Sequence, residues 1–160
     1  MIELEKLLWE GLIGAGFASL GFAVLFNIRG RALWLAGITG GLGGFVYLGA
    51  KQRGASEAFA NLLASIALSI VSEVFARWQK TTVTTFALCA LIPLVPGGTA
   101  YQMMVDFFNN DLYSGLSQAL SMASTALMLA LGIILVSNFT RFLHFSKRKI
   151  QTTAHNLMDS

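Results

Sequence analysis

The sequence has little charge. Only 12% of its 160 residues are Asp, Glu, Lys or Arg, whereas a soluble domain carries about 25%. Apolar residues make up 55% of the chain, and the mean hydropathy is +0.66. The shortage of charge, together with long apolar runs, argues against an ordinary soluble domain and predicts an integral membrane protein.

Cysteine and histidine are also scarce. Cys89 is the single cysteine, so no disulfide can form within the chain. His144 and His155 both lie in the C-terminal tail, which leaves no Ser–His pair for the bundle, and Asp106 and Asp111 do not lie on two facing apolar segments. No cluster of His, Cys and carboxylates has metal-ligand spacing. We therefore expect neither an enzyme nor a metal or other cofactor.

The basic residues have a pattern of their own. The pI is about 9.3, but the net charge is only +3 and the basic residues lie at the ends of apolar runs. This pattern is typical of membrane topology rather than of a phosphate-binding face, so we expect no nucleic-acid partner.

Five apolar segments approach the roughly 20 residues that a helix needs to cross a bilayer. They cover about residues 8–26, 32–50, 58–76, 82–109 and 117–136. The predicted fold class is an all-α integral membrane protein with about five transmembrane helices in a bundle of residues 1–145, followed by a basic cytoplasmic tail at 146–160.

The fourth segment contains a helix break, predicted from Pro93 to Gly98. Pro93 and Pro96 each remove a backbone donor and crowd the preceding turn. Gly97 and Gly98 can take backbone angles that are closed to other residues. Thr99 is a good N-cap, so we predict that a second helix starts there. Neither half is long enough to cross a bilayer alone, but together they are.

Two interpretations of this break are open. One is a proline kink. The other is a discontinuous helix whose N-terminus aims N–H groups at an anion, as secondary transporters do at their substrate sites. Two prolines, two glycines and a capping threonine are more than a kink needs, so we favour a substrate site. A substrate carboxylate would lie at residues 97–99, with Tyr101 and either Asn61 or the Thr99 hydroxyl fixing the rest of the molecule.

The third segment carries a polar row at four-residue steps, which we predict to face protein or water rather than lipid. Its members are Glu57, Asn61, Ser65, Ser69, Glu73 and Arg77. The side chain of Asn61 either forms a hydrogen bond between helices or lines a pathway. Glu73 is either a relay for protons or substrate or an interfacial partner of Arg77, and we favour the pair.

Further residues are candidates for a pathway or a gate. Arg31 is a topology determinant or a contact for an anionic substrate at the inner mouth, and Asp106, about two turns past the break, is a solvated acid or a gate. The complete candidate set for this role is Asn27, Arg31, Ser65, Glu73 and Asp106.

Small residues recur at four-residue spacing in several segments. The second segment has Ala36, Gly40 and Gly44 in one row, with Gly37 and Gly41 in the next. Similar rows lie in the first segment and, from Ala119 to Ala130, in the fifth. Such rows predict close approach of helix backbones, within the chain or against a partner.

The distribution of Lys and Arg predicts an orientation. With five crossings, eight of these residues fall on one side of the membrane and three on the other. The positive-inside rule then places the C-terminus in the cytoplasm and the N-terminus outside. A re-entrant fourth segment would make the number of crossings even and would overturn this assignment.

Three motifs carry a resemblance. They are residues 22–27 (FAVLFN) with 31–33 (RAL), residues 92–97 (IPLVPG) with 100–101 (AY), and residues 76–78 (ARW). Together they resemble the small membrane subunit of the threonine/serine exporter (ThrE-type) family in its split, two-component form, and the similarity extends to about residue 140.

The resemblance implies a secondary exporter of small amino acids, chiefly threonine and serine, in the bacterial inner membrane. It also implies a larger partner subunit, with a cytoplasmic domain and about five transmembrane helices. Some two-component relatives are linked to dicarboxylates such as succinate, so a succinate exporter subunit is the first alternative. A non-transporting membrane scaffold and a homo-oligomeric channel are the others.

Overall fold

The chain folds as a set of helices. The computed structural model describes the backbone of residues 7–158 and the side chains of residues 9, 11–140 and 142. All elements in this part of the chain are helical, in agreement with the predicted all-α class. A π-helical stretch, Leu7–Gly14, leads into α1 (Ala15–Leu25), which is followed by α2 (Arg31–Gln52), α3 (Glu57–Gln79), α4 (Val83–Leu91) with a 3-10 turn (Ile92–Leu94), α5 (Gly97–Phe108) and α6 (Leu112–Met158).

Three of these helices are long and apolar enough to cross a membrane: α2, α3 and the part Leu112–Thr140 of α6. Residues Val83–Leu94 and Gly97–Phe108 pass the same test together, with a bend of 44° between them. The first apolar helix, Gly11–Leu25, is shorter. The described helices thus support up to four crossings, and the count of five stays a prediction. The predicted tail from residue 146 begins inside α6, which continues to Met158.

The directions of α3 and α6 decide how the bent pair crosses. Thr140 Oγ1 donates a hydrogen bond to Glu73 Oε1 (3.3 Å), and a Cβ placed at Gly132 would meet the side chain of Ser65. Both pairs are 67 residues apart, so α3 and α6 run parallel in constant register. The chain between them must return to the side where α3 begins. The α4–α5 segment is therefore a broken span rather than a re-entrant loop.

Tight loops join the helices. Four helices are each followed by a residue with positive φ. These residues are Asn27, Gly54, Lys80 and Asn110. After α1, the amide of Asn27 donates to the carbonyl of Val24 (2.9 Å) and the amide of Ile28 to that of Ala23 (2.9 Å). This is the Schellman motif, which satisfies the last carbonyls of a helix, and the other three ends repeat it. The loops therefore hold successive helices close together.

The first two helical segments pack backbone against backbone. A Cβ at Gly41 would lie 2.6 Å from the carbonyl oxygen of Leu12, and one at Gly16 would lie 3.3 Å from the carbonyl oxygen of Gly37. Lipid offers no hydrophobic drive for helix association, so small residues that permit such contact support the pairing. The predicted role of the small residues is confirmed here. The corresponding row on α6 is different, because Ala123, Ala126 and Ala130 are exposed.

The core lies around α3, which packs against α2, α4 and α6. One cluster near the α3–α4 loop includes Phe86, whose ring meets Phe75 edge-on with centroids 6.3 Å apart. A second cluster lies deeper and consists of Ala64, Leu68, Ala90, Leu94 and Leu129. Helix α5 packs against α6, and none of its residues is buried. The second half of the broken span therefore lies outside the core.

Candidate functional site

The break in the fourth span is narrower than predicted. Pro93 lies within the 3-10 turn, so the chain stays helical past it. Val95 is extended, with φ −64° and ψ 132°, as expected for a residue that precedes proline. Pro96 follows with φ −74° and ψ 61°, and α5 begins at Gly97. The discontinuity thus comprises Val95 and Pro96 rather than the whole stretch from Pro93 to Gly98.

Two local predictions about the break are wrong. Thr99 is not the N-cap of α5, because the cap position is held by Pro96 without a side-chain hydrogen bond. The fixed φ of proline suits the entry to a helix, so the helix starts two residues earlier than the capping pattern predicts. Gly97 and Gly98 do not use glycine-specific angles, since both belong to α5 and the glycines with positive φ are Gly30 and Gly54.

Gly97 and Gly98 are also open in space. A Cβ added to either residue would meet no atom within 4 Å. Neither backbone conformation nor packing against the described chain therefore requires glycine at these positions.

The amides at the start of α5 are only partly satisfied. Gly97 N donates to Val95 O (2.7 Å), and Ala100 N donates to Pro96 O (3.1 Å). The amides of Gly98 and Thr99 belong to the first turn, where N–H groups have no acceptor inside the helix. The positive end of the helix dipole lies at the same place. Such an end favours an anion.

The break lies deep in the span. α4 begins at Val83, and a helix rises 1.5 Å per residue, so Pro93 is about 15 Å along it. The hydrocarbon core of a bilayer is about 30 Å thick. If α4 begins at the membrane interface, the break lies near the middle of the bilayer.

A cleft of about 400 Å³ lies beside the break, between the first helical segment, α2 and the 3-10 turn. Small residues of the first helical segment and of α2 form most of its wall, and Tyr47, Leu48, Pro93 and Leu94 complete it. Leu94 is buried and reaches Gly43, where an added Cβ would lie 3.3 Å from its Cδ1. Tyr47 was not predicted. Its role depends on which face of α2 meets the break, and the sequence alone does not give that face.

Asn61 lies on α3 and does not line this cleft. It is 2% exposed, and its Nδ2 donates to the carbonyl of Glu57 (3.0 Å). In the described part of the chain its Oδ1 has no hydrogen-bond partner. Asn61 precedes Ala64 and Leu68 by one and two turns, so it shares the helix face that packs against Leu94.

The predicted substrate-site residues therefore fall into two groups. Pro93 lines the cleft beside the core, and Asn61 is buried on α3. Gly97 and Gly98 are exposed, Thr99 is half-buried, and Tyr101 is 69% exposed. The described chain does not bring the two groups into one pocket.

One family model matches the sequence of this chain. Its description is threonine/serine exporter, ThrE, and it covers residues 11–139, which include the break, the cleft, Asn61 and the apolar part of α6. The chain belongs to the threonine/serine exporter (ThrE) family. It is thus a membrane protein of a transporter family. No solved structure matches it.

The polar row on α3 is buried in this ThrE-family chain. Asn61, Ser65 and Ser69 are all buried, so the prediction that the row faces protein is confirmed for these three. Ser65 Oγ donates to the carbonyl of Leu62 (2.8 Å). Ser72 was not predicted and is also fully buried. Among the described residues, the hydroxyls of Ser69 and Ser72 have no hydrogen-bond partner.

Glu73 is held by two partners near the end of α3. Arg77 Nη2 donates to Glu73 Oε2 (3.3 Å), so the predicted pair within the helix is present. Thr140 of α6 donates to the other carboxylate oxygen (3.3 Å). Thr140 was not predicted, because its contact with Glu73 depends on the register between two distant helices.

The other candidate residues lie at the two ends of the bundle. Asn27 is the left-handed residue after α1, and its Oδ1 accepts a bond from Arg29 Nε (3.1 Å). Arg31 is exposed at the start of α2. Asp106 accepts a bond from Gln102 Nε2 (3.0 Å) in α5. Asn27, Arg31 and Glu73 thus lie at one end and Asp106 lies beyond the break, and their pathway roles stay predictions.

Proposed function

We propose that this ThrE-family chain is one membrane subunit of a two-component secondary exporter. It carries small carboxylate-bearing metabolites, of the threonine and serine type, across the bacterial inner membrane together with a larger subunit. The observation that carries the proposal is the family match over residues 11–139, which contains every predicted site residue.

The substrate carboxylate lies at the start of α5. The first-turn amides of Gly98 and Thr99 offer donors, and the helix dipole adds positive potential at mid-depth in the membrane. The space beside Gly97 and Gly98 admits a ligand against the backbone. Asn61 and Tyr101 are proposed to contact the rest of the substrate, with the orphan Oδ1 of Asn61 as an acceptor for its ammonium or hydroxyl group.

A partner subunit completes this site. Helix α5 has no buried residue. The two groups of predicted site residues, one buried and one exposed, do not meet within the described chain. A larger subunit with a cytoplasmic domain and about five transmembrane helices, as the resemblance implies, would cover α5 and close the site from outside. Helices α3 and α6 run parallel, so the broken span between them crosses the membrane once. One crossing at this place agrees with a chain that supplies about half of the transporter's helices.

The proposed orientation places the C-terminus in the cytoplasm and the N-terminus outside. It is supported by the eight Lys and Arg residues predicted for one side against three for the other. Asn27, Arg31 and Glu73 then line or gate the cytoplasmic half of the pathway, Ser65 lies near its middle, and Asp106 lies in the outer half.

The test is efflux of labelled threonine, serine and succinate from cells that contain this chain alone, the larger subunit alone, or both. Export of threonine and serine only when both are present is the expected result. Export of succinate alone would favour the dicarboxylate alternative, and export by this chain alone would favour a homo-oligomeric channel. No effect of this chain on any efflux, at normal protein levels, would overturn the proposal.

A further inference from the structure

A groove of about 530 Å³ lies between α3 and α6, away from the break. Its wall is apolar along most of its length, and three polar side chains, Glu73, Arg77 and Thr140, gather at one end. The apolar lining consists of Ile66, Ile70, Val74, Leu135, Val136 and Phe139. The proposed transport function uses only Glu73 from this region.

The α3 wall of the groove is about as long as one leaflet of a bilayer. It extends from Ile66 to Arg77, about 16 Å at 1.5 Å per residue, whereas the α6 wall extends from Leu135 to Thr140, about 8 Å. One leaflet contributes about 15 Å of hydrocarbon, half of the core thickness. Because α3 and α6 run parallel, the groove follows the helices and hence the direction of lipid chains.

The groove is open along one side. Its volume of about 530 Å³ leaves room for a hydrocarbon chain between the two helices.

The polar end carries excess positive charge at the level expected for lipid headgroups. Arg77 gives one N–H to Glu73 and is 49% exposed, so its planar guanidinium, which has five donors, can serve a second anion. Trp78 is 72% exposed, as is typical of aromatic residues at a membrane interface. Lys80 follows at the end of α3 and is also exposed.

We propose that this groove binds an anionic phospholipid, with one acyl chain along the apolar wall and the phosphate at the Arg77 guanidinium. Both components of the ligand are matched: the hydrocarbon by the apolar lining and the length of the α3 wall, and the phosphate by a cation that Glu73 leaves partly accessible. The bound chain would fill space between α3 and α6 at this end of the bundle. The proposal depends on the membrane location of the chain and not on what it transports.

The test is native mass spectrometry of the purified chain, titrated in detergent with phosphatidylglycerol or phosphatidylcholine of the same acyl chains. We expect one phosphatidylglycerol to be retained in preference to phosphatidylcholine. Arg77→Gln should lower this retention about tenfold, because a charge-assisted contact is lost, whereas Arg53→Gln, the same change at an exposed arginine after α2, should lower it less than about twofold. Val74→Trp, which fills the groove, should abolish retention of both lipids.

Equal retention of the two lipids by the unmodified chain would overturn the proposal without reference to any variant. Unchanged retention by Arg77→Gln, in protein that elutes as a folded species in gel filtration, would also overturn it. Val74→Cys in a Cys89→Ala background tests whether a second copy of the chain occupies the groove instead of a lipid. Efficient disulfide cross-linking of two copies in the membrane would assign the groove to a second chain and contradict the lipid.

Discussion

The glycines of α2 and those of α5 differ in the space around them. Gly41 and Gly44 of α2 are buried against the backbone of the first helical segment, where a Cβ would collide with the carbonyl oxygens of Leu12 and Gly11. Gly97 and Gly98 of α5 are exposed, and a Cβ on either would meet nothing within 4 Å. The first pair is explained by packing within the chain, whereas no contact in the described part of the chain explains the second pair.

The same contrast separates the two halves of the broken span. α4 contributes Phe86, Cys89 and Ala90 to the core, and the turn that follows contributes Leu94. α5 contributes no buried residue. Since lipid alone could cover apolar side chains but not the amides at the start of α5, the difference supports the proposal that a polar ligand and a second protein surface complete this half.

The largest expected effect on stability is at α2. Gly41→Ala places a Cβ 2.6 Å from the Leu12 carbonyl oxygen, and such overpacking costs about 1–3 kcal/mol. The apparent melting temperature in detergent, read by fluorescence-detected gel filtration, should fall. Gly21→Ala is the control, because that glycine is exposed on α1 and an added Cβ there meets nothing within 4 Å. Equal melting temperatures for the two variants would contradict the claim that close packing requires glycine at position 41.

A smaller effect of opposite sign is expected at α5. Gly98→Ala introduces a better helix former at a helical position with open space, and such a change stabilises a protein by about 0.4–1 kcal/mol. The melting temperature of the isolated chain should therefore stay constant or rise, although glycine is the natural residue. A clear loss of stability would show that Gly98 is required by the fold after all, and the contrast with Gly41 would disappear.

The smallest effect concerns the cap at the start of α6. The backbone N–H and the hydroxyl of Ser114 donate to Asp111 (3.0 and 2.7 Å), and these bonds hold the pKa of Asp111 below its usual value. A lowered pKa means that the carboxylate stabilises the fold above the usual Asp range and loses this contribution as pH falls through the lowered pKa. Asp111→Ala should thus weaken amide exchange protection in the first turn of α6 at neutral pH.

The difference between Asp111→Ala and the unmodified chain should shrink as pH falls below the ordinary value near 3.8. Asp111→Asn is the control, since the amide oxygen keeps an acceptor for Ser114 without the charge. A difference that persists unchanged in acid would show that the carboxylate charge does not contribute.

Much of the fold could be predicted because the membrane imposes simple rules. Apolar runs long enough for a bilayer, glycines at four-residue spacing and the polar row on α3 each correspond to a helix, a close contact or a buried face. The start of α5 was predicted two residues late, because the capping preference of Thr99 competes with the fixed φ of Pro96. Tyr47, Ser72 and Thr140 were missed because their positions depend on which helices meet and at what register.

The central claim is that the start of α5 is a substrate site completed from outside this chain. The most direct test is export of labelled threonine and serine by the two-subunit system carrying Gly98→Leu, with Gly21→Leu as the matched change at another open glycine. We predict normal amounts of folded Gly98→Leu protein but export reduced about tenfold or more, which corresponds to at least about 1.4 kcal/mol of lost interaction. Gly21→Leu should export normally. Wild-type export by Gly98→Leu, or an equal loss in both variants, would contradict the account.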